Sequence, residues 1–180
     1  TWFWTTEIYY PESLSVEQAS SEQTAEYKAS LVSGKTLVDL TGGMGVDSYF
    51  FSRQIDQVTY FEINPSLAEI TAHNFRVLGA NNIDVRHGDG MRFLHKNKKA
   101  YDWIYLDPAR RGKQKQRVFR LQDGNPDVTV HLQLLLDSAG KILLKTAPML
   151  DIQQGITDLQ KVNQVHVVSL RNEVKELLWV

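Results

Sequence analysis

The sequence contains no cysteine. That excludes a disulfide scaffold, a thiolate metal site and a cysteine nucleophile. No apolar run reaches the roughly 18 residues that a membrane-spanning helix needs, and the first residues lack the basic segment and apolar stretch of a secretory signal. The chain is therefore read as soluble and cytoplasmic, with no membrane partner. An excess of charge of one sign is missing too: 20 Lys and Arg stand against 21 Asp and Glu, for a net charge of -1. No whole-surface positive field points to nucleic acid, so any site for a polyanion must be local. The histidines His73, His87, His95, His131 and His166 show no ligand spacing, and no metal is expected.

What is present suits one folded domain. The 180 residues are 42% hydrophobic and 23% charged, far from the composition of disordered chains. The opening Thr1-Trp2-Phe3-Trp4 lacks an initiator Met and reads as the start of a fragment from a longer protein, with a flanking domain missing.

The spacing predicts a helix over 12–33, with Ser15 and Gln18 as a capping box and Gly34 as its stop. Strand and helix then alternate. Strands are expected at 36–40, 57–63, 82–86, 101–106 and 141–146, and helices at 46–53, from Pro65 to about Leu78, at 91–96, 128–138 and 151–159. Gly140 is read as a helix breaker and 109–127 as a loop. Residues 163–170 and 174–180 read as an antiparallel hairpin. Repeated strand and helix imply right-handed crossovers and an α/β fold. The expected architecture is a doubly wound, Rossmann-like, seven-stranded and mostly parallel sheet, with helices on both faces. Residues 1–34 would lead into a domain spanning 35–180.

Such sheets bind ligands outside the carboxyl ends of their strands. The first exit reads Asp39-Leu40-Thr41-Gly42-Gly43-Met44-Gly45, a turn whose glycines allow close backbone approach to a ligand. Glu62 ends the second strand, where a carboxylate can accept from both hydroxyls of a ribose. Asp89 lies between Gly88 and Gly90 at the third exit and could accept from an adenine amino group. At the fourth, Pro108 stiffens the backbone around Asp107. Each exit alone has an ordinary reading as a turn or a solvated acid, but an acid at every one of them does not.

Taken together, Asp39 to Gly45, Glu62, His87 to Gly90 and Asp107-Pro108 resemble motifs I to IV of the class I S-adenosylmethionine-dependent methyltransferases. The resemblance covers roughly residues 36–180. Leu14 to Lys28 is similar to a bacterial group of candidate RNA methyltransferases that carry a THUMP-like accessory domain. The resemblance implies S-adenosylmethionine as cofactor, with Asp39, Thr41, Gly43, Gly45, Glu62, Ile63, Asp89 and Gly90 around it. It also implies that Asp107 and Pro108 face the acceptor, most simply a nitrogen of an RNA base. Two departures stand out. Thr41 occupies a position where many members carry Gly, and Asp-Pro-Ala-Arg replaces the Asp-Pro-Pro-aromatic of enzymes that methylate amino groups. The Asp-Pro-Pro-Arg-x-Gly enzymes that methylate uracil carbon 5 are excluded by the missing cysteine.

After Pro108 come Arg110, Arg111, Lys113, Lys115, Arg117 and Arg120 with no acid among them. This loop could hold RNA phosphates without reading sequence, or be merely a solvated basic loop. Lys96, Lys98 and Lys99 could extend it. Trp2, Phe3, Trp4, Tyr9 and Tyr10 could stack on a base, although packing is the commoner fate of such residues. Three other activities fit part of the pattern: methylation of a small molecule or protein, a nicotinamide-dependent oxidoreductase, and a cofactor-binding module without transfer. A carboxylate before the glycine loop sits poorly beside a pyrophosphate, which weighs against the oxidoreductase.

Overall fold

Alternation along the strands decides how the chain packs. Successive strand residues point to opposite faces of a sheet. Leu37, Tyr60, Trp103, Tyr105, Leu143 and Leu178 therefore enter one buried cluster, while Val38, Phe61, Ile104, Leu106, Leu144 and Leu177 enter another. Both faces must be covered by helices.

The computed structural model describes residues 2–11, 19–97, 100–110 and 120–180. After a short turn of helix at Trp2–Trp4 come α1 (Glu22–Ser30), β1 (Gly34–Asp39), α2 (Val46–Phe51), β2 (Ile55–Glu62), α3 (Pro65–Val77), β3 (Ile83–His87) and α4 (Gly90–Lys96). They are followed by β4 (Tyr101–Leu106), α5 (Val128–Ser138), β5 (Ala139–Thr146), α6 (Ile152–Leu159), β6 (Val165–Leu170) and β7 (Glu173–Trp179). The sheet runs in the order β3-β2-β1-β4-β5-β7-β6. Within this sheet β7 runs against the other six strands, pairing antiparallel with β5 and β6. The expected seven-stranded, mostly parallel sheet with its terminal hairpin is what the structure has. The strand order reverses between β1 and β4, which opens a cleft at their carboxyl ends.

The helix starts follow from side-chain caps that satisfy the free N–H groups of the first turn. Asn64 accepts from the amides of Ser66 and Leu67 ahead of α3, and Asp127 and Asp151 cap α5 and α6. The helix expected over 12–33 is shorter. Its described part starts at Glu22 with Ser21 as cap and ends at Ser30, so Gly34 opens β1 instead of stopping the helix, while the expected capping box of Ser15 and Gln18 falls outside the described residues. Residues 12–18 lie outside the described part. Gly140 breaks no helix: α5 ends at Ser138 because Ala139 is drawn into pairing with Tyr101, and Gly140 lies inside β5. The expected loop at 109–127 contains a short bridge that pairs Ala109 with Asn125 and Arg110 with Gly124.

Trp2 is fully buried, with its ring edge-on to Tyr49 and Phe75, so the N-terminal segment is part of the core. Its indole N–H has no hydrogen-bond partner among the described residues. Trp2→Ala is expected to cost about 3–5 kcal/mol in urea unfolding, from reduced burial and the cavity left behind. Trp2→Phe keeps a ring and removes the unpaired donor, so it should cost much less.

Candidate active site

Four strand exits are tied into one rim. The first and second meet where the Gly43 amide donates to Glu62 Oε2 at 2.9 Å and the Gly42 amide donates to the Phe61 carbonyl at 2.8 Å. The second and third meet through the Gly88 amide, which donates to the Glu62 carbonyl at 2.8 Å. The first and fourth meet through Thr41, whose Oγ1 accepts from the Asp107 amide at 2.7 Å. A glycine at position 41 could not make that link.

The glycine loop is shaped by what lies beneath it. A Cβ on Gly42 would fall 2.1 Å from Tyr60 Cε2, so the backbone rests directly on that ring. Tyr60 in turn donates its hydroxyl to the Gly43 carbonyl. Gly45 has φ 82°, and a Cβ there would meet Thr71 and Phe75 at 2.6 and 2.7 Å. Above the loop there is room. Around Gly43 a Cβ would meet nothing nearer than the Thr41 carbonyl at 3.9 Å, and around Gly88 nothing within 4 Å.

Each expected residue has a definite place. Glu62 is half-buried and already accepts through both oxygens, from the Gly43 amide and, at 2.7 Å, from the Asn64 amide. Ile63 follows it with 70% of its surface exposed, an apolar side chain left at the rim. Asp89 caps α4, its Oδ1 accepting from the amides of Met91 and Arg92. Gly90 lies against Leu40, where a Cβ would come within 3.0 Å of backbone. Asp39 is 1% exposed; its Oδ1 accepts from the Thr41 amide at 3.0 Å and its Oδ2 from the Ser48 hydroxyl at 2.6 Å. Burial pushes its carboxyl up to about 7 against the pull of Ser48 and Thr41, and the charges of Asp47 and Asp107 add to the rise.

Sequence reading missed a set of charges behind this rim. Lys28, in α1, is fully buried, with its ammonium 2.9 and 3.1 Å from the two oxygens of Glu176, 3.1 Å from Asp47 Oδ1 and 2.8 Å from Ser20 Oγ. Asp47 Oδ2 accepts from Tyr105 at 2.7 Å and from Ser20 at 2.9 Å. Burial works against the charge of Asp47, but Lys28 and Lys145 hold its carboxyl below the usual range. Burial pushes Glu176 up, with Lys28 opposing. Lys145 Nζ lies 2.5 Å from Asp107 Oδ2. The signal for Lys145 and Glu176 was in the strand period: each stands two residues from a core position of the same face, Leu143 and Leu178.

The basic loop is only partly described. Arg111, Lys113, Lys115 and Arg117 lie outside the described residues, as do Lys98, Lys99 and the side chain of Arg110. The loop's ends are visible, bridged at Ala109–Asn125 and Arg110–Gly124, with Gly124 packed against Pro108. Of the N-terminal aromatics, Trp2 is core, while Trp4, Tyr9 and Tyr10 are exposed and Tyr9 stacks on His73 with ring centroids 4.1 Å apart. Among the described residues no group of three or more His, Cys, Asp or Glu could hold a metal, and no helix is long and apolar enough to cross a membrane.

Comparison with known proteins gives consistent results. The family described as conserved hypothetical protein 95 matches residues 11–167. A methyltransferase of Mycobacterium tuberculosis, named as uncharacterized and S-adenosylmethionine-dependent, is 25% identical over 91% of this chain and 44% of its own length. A tRNA (guanine(26)-N(2))-dimethyltransferase of Methanosphaera stadtmanae is 26% identical over 46% of this chain and 22% of its own. The crystal structure of a candidate methyltransferase from Porphyromonas gingivalis W83 superposes with a TM-score of 0.86 at 35% identity, over 96% of this chain and 43% of that one. The chain thus spans less than half the length of each of these relatives.

Asp39 makes stability depend on pH. Its carboxyl titrates near 3.8 when unfolded and at about 7 when folded, so between those values the folded state holds a proton that the unfolded state has released. Stability should therefore fall by a few kcal/mol as pH rises from about 4 to about 7. In Asp39→Asn this part of the fall should be lost and only the smaller contribution of the raised Glu176 carboxyl should remain, which urea unfolding at acidic and neutral pH will measure.

Proposed function

The chain belongs to the conserved hypothetical protein 95 family, and from that premise we propose that it transfers a methyl group from S-adenosylmethionine to a nitrogen of an RNA base. The observation that carries the reading is the rim itself: four consecutive acidic exits, fastened to one glycine loop that has open space above it. S-adenosylmethionine is the cofactor such a rim suits, and the M. tuberculosis relative is named for dependence on it.

The residues divide the work as follows. Gly43 lets the loop pass close to the methionine part while Gly45 seats it on Thr71 and Phe75, with Thr41 beside it and the buried Asp39 carboxyl beneath, toward the ammonium. Glu62 has its two anchoring bonds already made and keeps lone pairs for the ribose hydroxyls. Ile63 and Gly90 flank the adenine, and Asp89 accepts from its amino group. The bound cofactor supplies an electrophilic methyl, so the protein has mainly to hold a nucleophile in line and exclude water. Asp107 accepts a hydrogen bond from the acceptor amine and turns its lone pair toward the methyl, while Pro108 keeps that backbone stiff.

RNA as the acceptor draws support from the M. stadtmanae relative, named for a tRNA guanine nitrogen, and from the basic loop whose two ends are bridged beside Pro108. Arg110, Arg111, Lys113 and Lys115 would contact phosphates. In this reading residues 35–180 are the transferase domain, residues 1–34 lead into it, and a THUMP-like domain elsewhere in the protein recruits RNA in the cytoplasm.

Calorimetry should show binding of S-adenosylmethionine and S-adenosylhomocysteine but not of NAD, weakened in Glu62→Gln. Glu62→Gln keeps one of the two acceptors that anchor the loop and Asn64, whereas Glu62→Ala removes both. Asp107→Ala should retain cofactor binding and fall about 100-fold in transfer of labelled methyl to total bacterial RNA. Binding of NAD alone, or unchanged transfer in Asp107→Ala, would overturn the reading. Reversing charge at Arg111 and Lys113 should weaken RNA binding and lower its salt dependence by about 0.7 in log–log slope for each phosphate that the loop no longer neutralises; unchanged turnover would point to a small molecule or protein as acceptor.

A further inference from the structure

We propose that Lys145 is a positioning residue for methyl transfer: it fixes the Asp107 carboxylate through Oδ2 and leaves Oδ1 to meet the acceptor. The proposal rests on the methyltransferase reading above. It starts from the strand register. Leu106 pairs with Leu144, so Asp107 and Lys145 stand side by side just beyond, on the face that carries Tyr105 and Leu143. Their charged atoms are 2.5 Å apart, and Lys145 is 16% exposed and Asp107 34%. The pair therefore lies at the rim, reachable by a ligand yet shielded enough for the attraction to matter.

Asp107 is thereby held at two points. Its amide is fixed to Thr41 and its carboxylate to Lys145. Without the second hold the carboxylate could turn about its own side-chain torsions, and a misplacement of about 1 Å at a reacting centre can cost 100-fold in rate. Lys145 has no stronger claim elsewhere, because Asp47 and Glu176 are already paired with Lys28. Those two acids nevertheless add their charges to that of Asp107. Burial lowers the Lys145 ammonium, but the three carboxylates outweigh it and hold the group above its ordinary value, so it stays charged throughout the neutral range.

The test uses Lys145→Met, Lys145→Arg, Asp107→Ala, Asp107→Asn and the double variant Lys145→Met/Asp107→Ala. With tritiated cofactor and total bacterial RNA, Lys145→Met should lower kcat by about 10- to 100-fold, with cofactor affinity by calorimetry unchanged and partial rescue in Lys145→Arg. In the Asp107→Ala background the same substitution should cost nothing further, since no side-chain oxygen remains at position 107 for Lys145 to hold. An equal cost in both backgrounds, or a loss confined to cofactor affinity, would overturn the proposal. A second measurement needs no turnover: the Lys145 side-chain NMR signal should titrate at lower pH in Asp107→Asn than in the unchanged protein. An unmoved titration overturns the pairing even where RNA proves to be the wrong acceptor, whereas a moved titration with no RNA methylation by the unchanged protein faults the acceptor reading and leaves the pairing standing.

Discussion

The ammonium of Lys28, wholly withdrawn from water, is the group on which three otherwise separate parts of the molecule depend. It reaches Glu176 in the C-terminal hairpin, Asp47 in the helix after the glycine loop, and Ser20 ahead of its own helix. An isolated charge in that position would be strongly unfavourable, and so would either carboxylate alone. Each makes the others tolerable. The N-terminal helix is thereby held over α2, and α2 is where the candidate cofactor loop ends. Tyr105 joins the same cluster from the centre of the sheet, its buried hydroxyl donating to Asp47 and kept protonated by burial and the surrounding carboxylates.

A second dependence follows from the first. Asp39, Tyr105, Asp107, Lys145 and Glu176 lie on one face because they share a strand parity with the core residues Leu37, Trp103, Leu143 and Leu178. The face that carries α1, α2 and α3 is therefore both core and charged, apolar toward the middle of the sheet and ionic toward its carboxyl edge. Among the described residues the buried charged side chains, Lys28, Asp39 and Glu176, all belong to this face. Polarity within the fold is thus set by where each strand stops.

Much of this was legible in the residues. The strand Tyr101–Leu106 and the helix Val128–Ser138 fall where their periodicity puts them, because both are long runs bounded by an Asp cap or Asp-Pro. The acidic exits were legible as well, since an acid directly after an apolar strand has few structural reasons to be there. Less visible were features that need two distant segments. Ser21 caps α1 beside Ser20, whose hydroxyl is taken up by Lys28 and Asp47, residues distant in sequence. Thr41, a departure from pattern in the sequence, has its reason in the Asp107 amide that its hydroxyl accepts from. Gly42, outside the expected set of cofactor residues, is the tightest glycine because Tyr60 comes up beneath it. None of these pairings is written in local sequence, as each depends on sheet register.

The bridge between Ala109–Arg110 and Gly124–Asn125 closes the basic segment at its base, beside Pro108. Two pairings there hold the backbone just after Pro108 to the segment that leads into α5. The fourth exit thus has a backbone support of its own, separate from the Thr41 and Lys145 contacts that hold Asp107.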